Sequence, residues 1–217
     1  MNLHTQKLTL VGGSGAIEAV RDEAALVPGQ APRGTAIIAH PHPLFAGTMN
    51  NKVVQTMARA FVQSGWIAVR FNFRGVGSSA GVHDDGRGEL DDFLAVVEQC
   101  AATGPLALAG FSFGSFVMSH AAQTLWTSRA IEKLVFVGTA ASRFQVAKLP
   151  LESHERTLVL HGEQDDTVPL SSVMDWARPQ SLPVTVIPGV AHFFHGQLPL
   201  LKSLVVRHLL SPVHLSR

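Results

Sequence analysis

The sequence is poor in cysteine and in charged side chains. Its single cysteine, Cys100, cannot form an internal disulfide, and this scarcity is typical of proteins in a reducing compartment. Charged residues make up 15% of the chain and hydrophobic residues 46%, a balance that excludes a disordered polypeptide. A chain of 217 residues with this composition can bury a large core. No repeat, low-complexity tract or linker interrupts it, so we expect a single domain over residues 1–217.

Long apolar segments and basic clusters are missing as well. Apolar runs such as "LVFVG" and "LALAGF" are far shorter than the ~20 residues that a membrane span needs. The first residues, "MNLHTQKLTLVGG", contain no apolar stretch behind a basic one, so no secretory signal is expected. The formal net charge is +1 at pH 7, without a basic block that would attract a nucleic acid. The sequence therefore predicts a cytoplasmic protein that binds neither nucleic acid nor membrane.

Short apolar runs rich in β-branched residues recur along the chain and predict strands. They occupy residues 8–11, 35–39, 66–71, 106–109, 134–137, 157–160 and 184–187. Most are continuous rather than alternating, which is typical of strands buried on both faces of a parallel sheet. Apolar stripes of helical period lie between them, in residues 53–62, 90–101, 117–125 and 198–209. The alternation predicts an α/β fold, a mainly parallel, doubly wound sheet of about eight strands flanked by helices.

Two regions depart from this alternation. The segment "KLTLVGGSGAIEAVRD" has two short strand patterns joined by the glycine-rich residues 12–15, which predicts an antiparallel hairpin at the sheet edge. Residues 139–156 separate two predicted strands and are too few for a separate helical lid. We therefore expect no cap domain and an open, shallow site.

The hexamer "GFSFGS" places Ser112 between a predicted strand and a predicted helix. Gly110 and Gly114 lack a Cβ atom, so a bent backbone at Ser112 can pass close to its neighbours. This G-x-S-x-G pattern is typical of a nucleophile elbow, which exposes the serine hydroxyl above the sheet. A plain strand-to-helix turn can carry the same pattern, so the hypothesis needs a base and a carboxylate elsewhere.

An acidic and an imidazole side chain follow two other predicted strands. "HGEQDDTVP" comes after the strand that ends at residue 160, and "PGVAHFFHG" after the one that ends at residue 187. Ligands of open α/β sheets bind beyond these carboxyl ends. A triad of Ser112, His192 and Asp165 would turn the weak serine hydroxyl into a nucleophile. Asp166 competes for the role of the acid, and His195 for that of the base.

Five motifs together resemble a known family. They are "HPHPLFAGTMNNKVV", "RFNFRGVGSSAG", "GFSFGS", "HGEQDDTVP" and "GVAHFFHG", each at the end of a predicted strand. The sequence is similar to the small bacterial members of the α/β-hydrolase-fold serine hydrolases over about residues 35–210. The resemblance implies an eight-stranded, mainly parallel sheet with the nucleophile after the fifth strand. It also favours Asp165 and His192 over their neighbours.

An oxyanion hole needs backbone N–H donors beside the nucleophile. Phe113, directly after Ser112, is expected to supply one. The second should come from the loop after residue 39, where the prolines have no N–H, and we expect Leu44 rather than His42 to supply it. His40 and His42 are spaced so that a zinc site is conceivable, but two histidines on a loop are a common coincidence. We expect no metal and no cofactor.

Phenylalanines surround the predicted centre and give it an apolar mouth, at positions 45, 111, 113, 193 and 194. The motifs that carry the serine, the aspartate and the histidine, "GFSFGS", "HGEQDDTVP" and "GVAHFFHG", contain no arginine or lysine, so a small or medium ester or thioester fits better than a heavily charged substrate. We expect a carboxylic-ester hydrolase that acts on a small molecule through an acyl-enzyme on Ser112. The alternatives are a thioesterase, amidase or acyltransferase on the same triad, or a non-catalytic binding protein on the same scaffold.

Overall fold

Eight strands form one sheet in the computed structural model, which describes residues 5–212 of the protein. The ends of the predicted domain, residues 1–4 and 213–217, lie outside this part. The strands are β1 (Thr5–Gly12), β2 (Gly15–Asp22), β3 (Thr35–Ala39), β4 (Ile67–Phe71), β5 (Leu106–Phe111), β6 (Ile131–Val137), β7 (Thr157–Gly162) and β8 (Thr185–Ile187). The helices are α1 (Lys52–Gln63), α2 (Arg87–Cys100), α3 (Phe113–Leu125), α4 (Leu170–Ala177) and α5 (Leu198–Leu210).

The sheet has the order β1-β2-β4-β3-β5-β6-β7-β8. β1 pairs with β2, and β2 with β4, in antiparallel fashion, whereas the pairs from β4 to β8 are parallel. The predicted edge hairpin is confirmed, with a two-residue turn between Gly12 and Gly15. The predicted fold class, a mainly parallel sheet of about eight strands flanked by helices, is confirmed too.

Strand β5 lies in the middle of the sheet and is buried along its whole length. Ala107 and Ala109 pack in the apolar cluster that contains α1 and α5, and Leu106 and Leu108 pack in the cluster that contains α2, α3 and α4. Both faces of the strand are therefore covered by helices. This explains why the strand is a continuous apolar run rather than an alternating one.

No separate lid covers the sheet in the described part of the chain. Between β6 and β7 the chain forms irregular backbone and one short 3₁₀ helix, Leu151–Arg156. The absence of a cap domain is confirmed, and the loops after the parallel strands line the site directly. Within residues 5–212, none of the helices is both long and apolar enough to cross a membrane.

Candidate active site

A sharp turn between β5 and α3 holds Ser112. Its φ of 56° and ψ of −117° lie in a region that residues with a Cβ atom rarely adopt. A Cβ atom at Gly110 would lie 2.5 Å from the backbone of Gly114, and one at Gly114 would lie 2.6 Å from the carbonyl oxygens of Ala39 and His40. Only glycine fits at these two positions. The turn has the strained geometry that the sequence predicts for a nucleophile elbow.

Replacing Gly114 with alanine should lower the free energy of unfolding by about 1–3 kcal/mol, because the added methyl group meets backbone atoms that cannot rotate away. Gly13→Ala is the matched control, since no heavy atom lies within 4 Å of its added Cβ. We expect the control to change stability by no more than about 0.5 kcal/mol. Urea unfolding measures both values, and equal effects of the two variants would contradict the close packing at Gly114.

A buried carboxylate and a buried imidazole meet beside this turn. His192 Nδ1 lies 2.6 Å from Asp165 Oδ2. The other oxygen, Asp165 Oδ1, accepts hydrogen bonds from the backbone N–H groups of Thr167 at 3.0 Å and Val168 at 2.7 Å. The carboxylate is thus held at both oxygens. His192 donates its Nδ1 proton to it, and Nε2 is the nitrogen that can accept a proton.

A second buried histidine, His161, packs against the same carboxylate. Its Nε2 lies 2.9 Å from the carbonyl oxygen of Val168 and 3.4 Å from Asp165 Oδ2. Burial, the largest cause, lowers the pKa of His161. The neutral ring therefore carries its proton on Nε2, where the carbonyl oxygen of Val168 accepts it. No sequence pattern indicated this contact, although His161 opens the "HGEQDDTVP" motif.

The two competing residues lie apart from this pair. Asp166 is exposed, and its Oδ1 accepts only a 3.3 Å hydrogen bond from Thr167 Oγ1 within the described chain. His195 is exposed as well. By contrast, His192 is buried and packs against the ring of Phe111 at a centroid distance of 4.8 Å. The structure brings Asp165 and His192 together and leaves Asp166 and His195 at the surface.

Ser112 and His192 line one cavity of about 470 Å³. Phe45, Phe113 and Phe193 line it as predicted, whereas Phe111 and Phe194 are fully buried beneath it. In the described chain, the Ser112 hydroxyl forms no hydrogen bond with His192. Such bonds often tighten only when substrate binds.

The loop after β3 presents His42 to the cavity and directs the Leu44 side chain to solvent. The Leu44 N–H donates to His42 Nδ1 at 3.2 Å and so caps a 3₁₀ turn, Pro43–Phe45. The backbone N–H groups of His42 and Phe113 have no acceptor among residues 5–212. Burial, followed by the nearby His83, lowers the pKa of His42.

His40, the first histidine of this loop, is a structural residue. Its Nδ1 lies 2.6 Å from the carbonyl oxygen of Pro41, and its Nε2 accepts from the N–H of Phe73 at 3.0 Å. Burial lowers the pKa of His40 to about 4, so the ring is neutral at pH 7. Both nitrogens are therefore occupied by the fold. Across residues 5–212, no three histidine, cysteine or acidic side chains are grouped so that they could hold a metal ion.

Three residues of the loop after β6 line the cavity although they belong to none of the five motifs. They are Ala140, Arg143 and Phe144. The signal that could have found them is their position, since they follow the carboxyl end of a parallel strand next to β5.

Comparison with known proteins agrees with this architecture. A family model described as X-Pro dipeptidyl-peptidase (S15 family) matches residues 24–144. An uncharacterized protein of Rickettsia prowazekii (strain Madrid E) is 31% identical over 176 residues, which cover 73% of this chain and 71% of that protein.

Two solved structures are similar over nearly the whole chain. One is an α/β serine hydrolase without a lid from Xanthomonas campestris, with a TM-score of 0.83, 34% identity and coverage of 96% of this chain and 95% of that one. The other is an α-β serine hydrolase homologue from Coxiella burnetii, with a TM-score of 0.78, 37% identity and coverage of 96% and 99%.

The matched segment of the family model contains Ser112 and the loop after β3, and it ends before Asp165 and His192. The two solved structures extend the similarity through the remaining strands and helices. The chain therefore belongs to the X-Pro dipeptidyl-peptidase (S15) family, and it is a member of the α/β serine hydrolases that lack a lid.

Proposed function

We propose that this protein is a carboxylic-ester hydrolase that forms an acyl-enzyme on Ser112, with His192 as the base and Asp165 as the acid. One observation carries the proposal, the 2.6 Å contact between His192 Nδ1 and Asp165 Oδ2 beside a serine that lines the same cavity as the imidazole. The contact holds the imidazole in the tautomer whose Nε2 can accept a proton. A serine with such a base is a nucleophile at neutral pH.

The chemistry proceeds in two halves. Ser112 Oγ attacks the ester carbonyl while its proton moves to His192 Nε2, and a tetrahedral intermediate forms. The carbon–oxygen bond to the alcohol then breaks, and His192 returns the proton to the departing alkoxide. A water molecule, deprotonated by the same imidazole, attacks the acyl-enzyme and releases the acid and Ser112. Asp165 stays ionised and stabilises the imidazolium in both halves.

The negative charge of the intermediate needs two N–H donors. The Phe113 N–H stands at the first position of α3, where the helix dipole adds to its effect. For the second donor the geometry favours the His42 N–H over that of Leu44, because the Leu44 N–H is already bonded to His42 Nδ1. We therefore propose Phe113 and His42, and Leu44 stays the alternative.

The cavity lining favours an ester over a peptide. A dipeptidyl-peptidase must bind the cationic α-amino group of its substrate, and neither aspartate nor glutamate lines this cavity. Peptide recognition also requires hydrogen bonds to the substrate backbone. The uncharged polar side chains beyond the serine and histidines are Asn51 and Thr167 alone, and the other lining is largely apolar.

A fluorophosphonate probe followed by intact-mass spectrometry tests the mechanism. We expect one adduct on the wild-type protein, none on His192→Ala, and a wild-type level on His195→Ala, because His192, and not His195, pairs with the buried carboxylate. Matched 4-nitrophenyl ester, thioester and Ala-Pro-anilide substrates then identify the bond that is cleaved. Faster cleavage of the anilide than of the ester would favour a peptidase, and absence of any adduct on folded protein would favour a binding protein.

A further inference from the structure

Arg143 brings a fixed positive charge to the cavity of Ser112. It lines the cavity together with Phe45 and Phe144, and no acidic side chain is part of the lining. The other ionisable groups of the lining are His42 and the proposed base. Because the pKa of His42 is lowered, this imidazole is neutral at pH 7. The guanidinium is therefore the group that would meet a negative charge on a bound molecule.

The guanidinium of Arg143 has no hydrogen-bond acceptor or acidic partner among residues 5–212. Arg70 and Arg74 form ion pairs with Asp22 and Asp92, whereas Arg143 forms no side-chain hydrogen bond or ion pair with any residue in 5–212. Its Cζ atom lies 5.8 Å from the centroid of the Phe45 ring, and Phe45 is 70% exposed. An aromatic ring attracts the cation through the ring face, while the guanidinium N–H groups keep their capacity to donate.

The acidic residues near the cavity have other partners. Glu89 is fully buried, accepts hydrogen bonds from two backbone N–H groups and lies 2.8 Å from His83 Nδ1. The Asp85 side chain is 82% exposed and lies 3.4 Å from His83 Nε2. Both carboxylates therefore sit around His83, behind the ring of His42. Neither forms an ion pair with Arg143.

We propose that Arg143 is a specificity-determining residue that binds a carboxylate on the substrate, so that monoanionic esters are the preferred substrate class. The inference rests on the proposed ester hydrolase function. The apolar body of such an ester would occupy the phenylalanine-lined cavity, its carbonyl would reach Ser112, and its carboxylate would lie at the rim. One guanidinium matches one carboxylate through two parallel hydrogen bonds, and its single charge balances that of a monoanionic ester.

The test compares charged and neutral forms of the same ester. One pair places the charge on the acyl side, as 4-nitrophenyl hydrogen adipate against its methyl ester. A second pair places it on the leaving group, as 4-acetoxybenzoate against 4-acetoxybenzamide. We expect Arg143→Gln to lower the ratio of kcat/KM for the charged over the neutral ester by about 10-fold or more in at least one pair. Arg178→Gln is the control, since this exposed arginine pairs with Asp175 outside the cavity.

Binding to the Ser112→Ala protein supplies a readout that does not need turnover. We expect the hydrogen adipate ester to bind more tightly than its methyl ester, and the difference to vanish in Ser112→Ala/Arg143→Gln. If the protein binds the charged ester more tightly than the neutral one and the wild type hydrolyses neither, the hydrolase proposal is wrong and the carboxylate site is supported. If the wild type hydrolyses the esters and Arg143→Gln changes neither the kcat/KM ratios nor the Kd values, the role of Arg143 is overturned and the hydrolase proposal is not. An equal loss of the ratio in Arg178→Gln would also overturn the role of Arg143, because the effect would then be one of overall charge.

Discussion

Ser112→Ala is expected to lower kcat by about 10⁴- to 10⁶-fold without unfolding the protein. In the proposed mechanism the residue supplies the oxygen that bonds to the acyl group, so no neighbouring group can replace it. Its hydroxyl forms no hydrogen bond with another described residue, so removing it leaves the fold's own contacts intact. Alanine also tolerates the strained turn as well as serine does, since both carry one Cβ atom. Steady-state hydrolysis of a 4-nitrophenyl ester measures the loss, and urea unfolding checks the fold.

Ser171→Ala is the matched control for this variant. Ser171 lies exposed on α4, away from the cavity lining, and its loss should leave kcat unchanged. The fluorophosphonate adduct should disappear from Ser112→Ala and persist in Ser171→Ala. A Ser112→Ala preparation that keeps its full rate would rule out the acyl-enzyme on this residue.

Asp165→Asn is expected to lower kcat by about 10⁴-fold, because it imposes the wrong tautomer on His192. Asp165 Oδ1 accepts from two backbone N–H groups, so the oxygen of an asparagine would keep that position. The amide nitrogen would then face His192 Nδ1 and donate to it. The imidazole proton would have to sit on Nε2, which could no longer accept the proton of Ser112.

Asp166→Asn gives the matched control one position along the chain. The Asp166 side chain is exposed and touches neither histidine of the site. The kcat of Asp166→Asn should therefore stay within about threefold of the wild-type value. If Asp166→Asn caused the larger loss, the acid would have to be reassigned.

The strands and the elbow were predictable because their causes are local. Gly110 and Gly114 flank Ser112 and leave room for the sharp turn. The continuous apolar run of β5 reflects burial on both faces of the strand. The edge hairpin was equally predictable, since a glycine-rich segment joins two strand patterns without room for a helix. In each case the pattern lies within about a dozen residues and needs no knowledge of distant contacts.

The distances that matter for chemistry join residues far apart in the chain. Asp165 and Asp166 have the same chemistry, and only the path of the loop after β7 turns Oδ2 of the first toward His192. The hydrogen bond of the Leu44 N–H was also not evident from the sequence, because its acceptor is the His42 ring of the same loop. The position of Arg143 at the cavity could not be predicted, because no motif contains this residue. Its place there depends on how the loop after β6 packs beside α3.

The fold class, the lack of a lid and the position of the serine on its turn follow from local sequence patterns. Periodicity, chain length between strands and glycine sterics act over short distances, and each can be evaluated without coordinates. Long-range packing sets the distance between carboxylate and imidazole, the backbone N–H groups that stay unbonded, and the cation that lies at the cavity. Parallel strands bring residues from distant segments to one edge of the sheet, and the loop conformations there depend on packing that no local pattern encodes.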